Sequence, residues 1–146
     1  KVLITALTLS SSTIAIADET KFKIAVVKKE FGIKDTEVIA FNKHMRTCAE
    51  LTKAQKTSES EVACTAAIKS IKLVKGDSKK TKYLESLTYS NRWISRYMND
   101  NLAGAKDDLI TATLIDSNSI TESNLRLIKH SIPDESSINK PTNIAD

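Results

Sequence analysis

The sequence predicts an all-α domain, and three observations point to it. Both prolines, Pro133 and Pro141, lie in the last fourteen positions, and only Gly32, Gly76 and Gly104 punctuate the rest. Proline and glycine are the strongest helix breakers, so the span 35–132 is open to helix except at those points. Apolar residues in that span recur at steps of three and four, which lines one face of a helix. Ser58–Glu61 and Ser119–Glu122 have the spacing of capping boxes, the reciprocal side-chain caps that start helices. About five helices are expected: antiparallel hairpins at 35–74 and 78–115 and a capping helix at 120–132.

Residues 1–17, KVLITALTLSSSTIAIA, combine a basic start, a short apolar run and an A-x-A end. That order is expected of a secretory signal peptide, with cleavage before Asp18. The apolar run is well short of the roughly 20 residues needed to cross a bilayer. A periplasmic or secreted location follows as an expectation. Residues 18–34 form an irregular lead-in, extended or weakly helical. Phe22, Ile24 and Val26 alternate with Lys23 and Ala25 as in a strand, yet IAVVKKEF also suits one or two helical turns.

The first helix, from about Asp35 to Lys53, places Val38, Phe41, Met45, Cys48 and Leu51 on one face, with Asp35 or Thr36 as its cap. The second, from about Ser58 to Val74, is capped by the Ser58–Glu61 pair. It buries Val62, Ala66 or Ala67, Ile68 and Ile71, and ends at Gly76. The third runs from about Ser78 to Asn99 and the fourth from about Leu102 to Ile115. The fifth, opened by Ser119–Glu122, carries Leu125, Leu127, Ile128 and Ile132. The tail, 133–146, is too poor in apolar residues to order itself and is expected to be flexible.

The net charge is +4 over 146 residues, with both signs interspersed. The most basic stretches, KKEFGIKD and KLVKGDSKKTK, are too diluted for a nucleic-acid face, so no nucleic-acid partner is expected.

Cys48 and Cys64 stand eight residues either side of Lys56, the centre of the first hairpin's turn. They therefore lie at one height on facing helices. In an oxidising compartment a disulfide is the preferred reading. Free buried thiols, or a metal site drawing on His44, Met45 and both cysteines, are the alternatives. No catalytic constellation is present: the only histidines are His44 and His130, and no P-loop, HExxH or Gly-flanked nucleophilic serine occurs. Neither an enzyme nor a cofactor is expected. Asp107 and Asp108 point about 100° apart on a helix, so they do not share a proton and read as a solvated face.

Within Ser86–Ser119, Tyr89 takes an early aromatic position of a first helix. Leu102 opens the second helix, and Ala105, Leu109 and Ala112 follow in a small–large–small register, with Asp116 at its end. Small residues at that spacing let two helices approach closely. This stretch resembles a tetratricopeptide repeat, a hairpin unit of 34 residues. Trp93 falls where the family carries a small residue, Arg92 and Arg96 where it carries apolar ones, and Ser117 replaces a proline. The first hairpin echoes the register weakly, with Ala63 and Ala67 around Cys64.

The resemblance implies stacked hairpins, a concave face lined by the first helix of each repeat, and a protein or peptide partner. On this chain the matching positions are Leu87, Ser90, Asn91, Ile94, Tyr97 and Met98. Asn91 stands where the family often holds a ligand's backbone, and Arg92 and Arg96 beside it could meet carboxylates. The expected role is a non-catalytic, exported interaction or scaffold module. The alternatives are a small structural or stress-related exported domain without a groove and, less favoured, a metal-binding protein using His44, Cys48 and Cys64.

Overall fold

The structure, a computed structural model, describes residues 22–26, 36–75 and 78–131. The expected signal segment, Gly32, Asp35, Gly76 and the tail lie outside the described residues. Five α-helices follow one another: α1 Thr36–Lys53, α2 Thr57–Ile71, α3 Ser78–Met98, α4 Leu102–Ile115 and α5 Ser119–Ser131. No strand occurs among the described residues, so the chain is all-α. α1 pairs with α2 and α3 with α4, and α3 packs against each of the other four helices.

The two hairpin turns are built alike. Gln55 (φ 57°) and Asp100 (φ 58°) occupy the left-handed region just beyond α1 and α3. In each turn the next amide reaches back to a helix carbonyl, Lys56 N–H to Leu51 O and Asn101 N–H to Arg96 O. This is a Schellman closure, and glycine normally takes the left-handed position. Here glutamine and aspartate take it, so glycine placement did not reveal these turns. The two positions are 45 residues apart (100 − 55). The same shift carries Cys64 onto Leu109 and Ala67 onto Ala112. All four are buried, and the spacing between the two turns is longer than 34 residues.

Both expected capping boxes move. α2 starts directly out of its turn at Thr57, and its N-cap, Lys56, offers no side-chain cap. Ser58 lies inside the helix, exposed, and Glu61 bonds Arg96 instead. α5 is capped one residue earlier than expected. Asn118 Oδ1 accepts from the Ile120 and Thr121 amides, and Thr121 Oγ1 accepts from the Asn118 amide. Glu122 receives the Ser117 hydroxyl. α2 also ends at Ile71 rather than Val74, in tight turns from Leu73 N–H to Ser70 O and Val74 N–H to Ile71 O.

The core has two parts. Ala25, Phe41, Met45, Ala67, Ile71, Leu84 and Leu87 form the first, between the hairpins. Trp93, Ile94, Ala105, Leu109 and Ile128 form the second, between α3, α4 and α5. Burying a side chain such as Phe41, Ile71 or Leu109 stabilises the fold by about 1.5–3 kcal/mol. On α1 the expected stripe is buried except for Leu51, which is half-buried. On α2 Val62 points outward, 72% exposed, and Cys64 takes the inward place. In the first hairpin Cys48 and Cys64 form a disulfide with their Cα atoms 4.7 Å apart.

Candidate functional site

The face expected to be concave falls on the inner side of α3. Leu87 and Ile94 are buried in the two cores, and Ser90 and Asn91 are fully buried. Tyr97 and Met98 are half-buried at the C-terminal end. A short non-helical segment, Phe22–Val26, lies along this side, with α5 beside it.

The segment is held by two asparagines. Asn91 Oδ1 accepts from the Ala25 amide at 2.9 Å, and Asn91 Nδ2 donates to the Ala25 carbonyl at 2.9 Å. Asn124, on α5, repeats the arrangement two residues earlier. Its Oδ1 accepts from the Lys23 amide at 2.9 Å, and its Nδ2 donates to the Lys23 carbonyl at 3.1 Å. Nδ2 of Asn124 also donates to Ser90 Oγ, which ties α5 to α3. A side-chain amide has one acceptor and one donor on the same edge, so it pairs with a residue's N–H and C=O as a neighbouring strand does. Alternate residues present both groups to one side only in an extended chain. Residues 22–26 are therefore extended, which settles that part of the lead-in.

The expected alternation is corrected in detail. Ala25 is the buried residue of the segment, while Val26 is half-exposed. Ala25 faces the first core and has no bulk to displace it. Phe22 and Ile24 pack on the second core. The Phe22 ring meets Trp93 edge-on at 5.0 Å and Tyr97 at 5.4 Å, and Trp93 meets Tyr97 at 5.7 Å. Such edge-to-face pairs add roughly 0.5–1.5 kcal/mol beyond area burial. Trp93, at a position where the resemblance implied a small residue, is the floor of this aromatic cluster. Its indole Nε1 is buried with no hydrogen-bond partner among the described residues.

Arg92 and Arg96 do not lie on the face that holds residues 22–26, where they were expected to meet a partner's carboxylates. They turn to the opposite side and meet the chain's own. Asp108 receives Arg92 through two bonds, Nε to Oδ2 at 2.8 Å and Nη2 to Oδ1 at 2.7 Å. Arg96 reaches Asp108 Oδ2 at 3.1 Å and Glu61 Oε1 at 2.7 Å. Thr65 accepts from Arg92 Nη1, and Arg92 lies over the Tyr89 ring at 5.3 Å. This latch joins α2, α3 and α4. Burial lowers the Arg92 pKa, but the hydrogen bonds and charge of Asp108 outweigh it and the net shift is upward. Asp107 is exposed as expected, but Asp108 is 3% exposed, so the acidic pair is not one solvated face.

The residues weighed for a metal are placed otherwise. The disulfide occupies both sulfurs. His44 Nδ1 hydrogen-bonds Ser70 Oγ at 2.8 Å, and Met45 lies in the core against Thr88. Among the described residues no group of three or more His, Cys, Asp or Glu could hold a metal ion. His130 falls in the last turn of α5.

Sequence reasoning singled out Asn91 and missed Asn124. The missed signal was spacing: Thr121, Asn124 and Ile128 share one face of α5, so Asn124 is an amide in an inward stripe. Among the described residues no helix is long and apolar enough to cross a membrane. Comparison with known proteins finds no matching family model, no matching curated protein and no matching solved structure.

Proposed function

We propose that the chain is a non-catalytic, exported interaction module of tetratricopeptide-like hairpins, with α3 and α5 forming its peptide-binding face. One observation carries this reading: Asn91 and Asn124 hold an extended polypeptide through its backbone, on the face that the family resemblance implies. Backbone pairing of this kind is a general way for a fold to bind extended peptides. Export is supported by the disulfide, a bond that persists in oxidising compartments. The absence of a catalytic role is supported by the commitment of Asp108, Glu61 and His44 to internal partners. A second reading, a structural or stress-related exported domain, is favoured by the coverage of the face by the chain's own residues 22–26.

Capture from the exported fraction of the host tests the proposal. Immobilised parent chain is expected to retain a protein that a folded Tyr97→Ala chain retains about tenfold less, the loss typical of an aromatic anchor. Equal retention by both chains would remove the face assignment. Turnover in a substrate screen would remove the non-catalytic reading.

A further inference from the structure

We infer that Phe22–Val26 is a displaceable ligand held in cis, and that the groove it fills takes an extended segment of a partner protein. That segment carries an aromatic residue, then one exposed residue, then a branched aliphatic and a small residue. The inference rests on the interaction-module reading and specifies its ligand and its regulation.

Among the described residues, the polar contacts that hold the segment are all to its backbone, at Lys23 and Ala25. They read an extended chain without reading its sequence. Selectivity comes from three side chains: Phe22 against Trp93 and Tyr97, Ile24 on the second core, and Ala25 where only a small residue enters. Lys23 and Val26 are exposed, so their identity is free. The far side of the segment is open, since Phe22 and Ile24 are themselves only half-buried.

When the segment leaves, the amides of Asn91 and Asn124, fully buried in its presence, are opened to water, which takes the place of the Lys23 and Ala25 backbone. The groove therefore equilibrates between the cis segment and a solvated state that a partner can enter. Nine residues, 27–35, separate the segment from α1. A tether this short gives the cis segment an effective concentration on the order of millimolar. A second copy of this chain offers the identical segment at ordinary micromolar concentrations and loses that competition. A partner whose segment fits better, or is itself locally concentrated, wins it. The cis segment thus sets a threshold that a partner must exceed.

The test uses the full chain and a labelled synthetic peptide of residues 20–27, TKFKIAVV, with a scrambled peptide as control. Phe22→Ala plus Ile24→Ala weakens the cis ligand and leaves the groove intact. Fluorescence anisotropy is expected to show the peptide binding this variant at least about tenfold tighter than the parent, because the competent groove is more often free. N-methylation of the peptide at the positions of Lys23 and Ala25 should abolish binding. If the double variant does not fold, Phe22→Ala alone carries the test, because that ring is half-exposed. Equal weak binding to parent and to a folded variant, or equal binding of the scrambled peptide, overturns the inference. Appearance of segment-exchanged dimers of the parent at micromolar concentration would also overturn it, by assigning the occupant to a second copy. Should the inference fail while Tyr97-dependent capture persists, the interaction-module reading survives it.

Discussion

Asp108 shows how much one residue can carry. It is buried and accepts from two arginines on α3, one of which also reaches Glu61 on α2. Removing one member of a buried pair leaves the other charge unpaired, which costs about 3–5 kcal/mol when burial is deep. Arg92 and Arg96 retain some exposure, so Asp108→Ala is expected to destabilise by about 3 kcal/mol, read from the urea midpoint at constant slope. Asp107→Ala should stay within about 0.5 kcal/mol. The raised pKa of Arg92 keeps its contribution present at all ordinary pH. That contribution is lost only as pH rises through the folded-state value, deep in the alkaline range. Asp107 and Asp108 were both read as a solvated face, although the spacing separates them. Asp108 shares the three-and-four stripe of Ala105, Leu109 and Ala112, and Asp107 does not. A charge on an apolar stripe signals a partner, and Arg92 and Arg96 were the nearest candidates.

At the scale of elements, the helices were legible because their apolar spacing is regular, and their ends less so. The two hairpin turns use left-handed Gln55 and Asp100, which no glycine announces. Non-glycine residues in that region cost about 1–2 kcal/mol of local strain. Gln55→Gly and Asp100→Gly should each raise stability by roughly 0.5–1 kcal/mol, after the larger unfolded-state entropy of glycine is offset. Urea midpoints of the single variants and of the pair, with additive effects, would check this. At Gly104 the opposite holds. A Cβ there would approach the Asn101 side chain at 2.9 Å, and Asn101 is the cap of α4 that accepts from the Gly104 amide. The cap of α5 was misplaced by one residue and that of α2 by two, its N-cap Lys56 offering no side-chain cap, because several Ser, Thr and Asn residues adjoin these starts. Which of them acts is decided by how the chain leaves the preceding turn.

At the scale of the whole molecule, the disulfide joins the two helices of the first hairpin, while α3 and α5 together hold the extended segment that precedes α1. The Cys48–Cys64 separation of 16 residues corresponds to about 3 kcal/mol in the chain-entropy model. Reduction should lower the unfolding free energy by about that amount, shifting the urea midpoint downward, and leave the far-ultraviolet helix signal intact at low temperature. A reduced chain as stable as the oxidised one would contradict it. The pairing of hairpins was legible from spacing, and so was the pairing of cysteines about the turn. The docking of residues 22–26 was not, because it joins residues far apart in sequence. Nothing local to Lys23 announces Asn124, and a buried amide in a stripe identifies a need for a partner without naming it.

The central claim is that two asparagines hold an extended chain by its backbone at alternate residues. Native-state hydrogen exchange of the amides of residues 22–26 tests it most directly. Lys23 and Ala25 should be protected, and Ile24, whose amide has no partner among the described residues, should exchange at least about a hundredfold faster than either, because only the paired amides must open to exchange. Asn91→Leu or Asn124→Leu should remove the protection at Ala25 or Lys23 respectively, by deleting the Oδ1 that accepts from that amide. Equal, fast exchange along the segment in the parent chain would contradict the account.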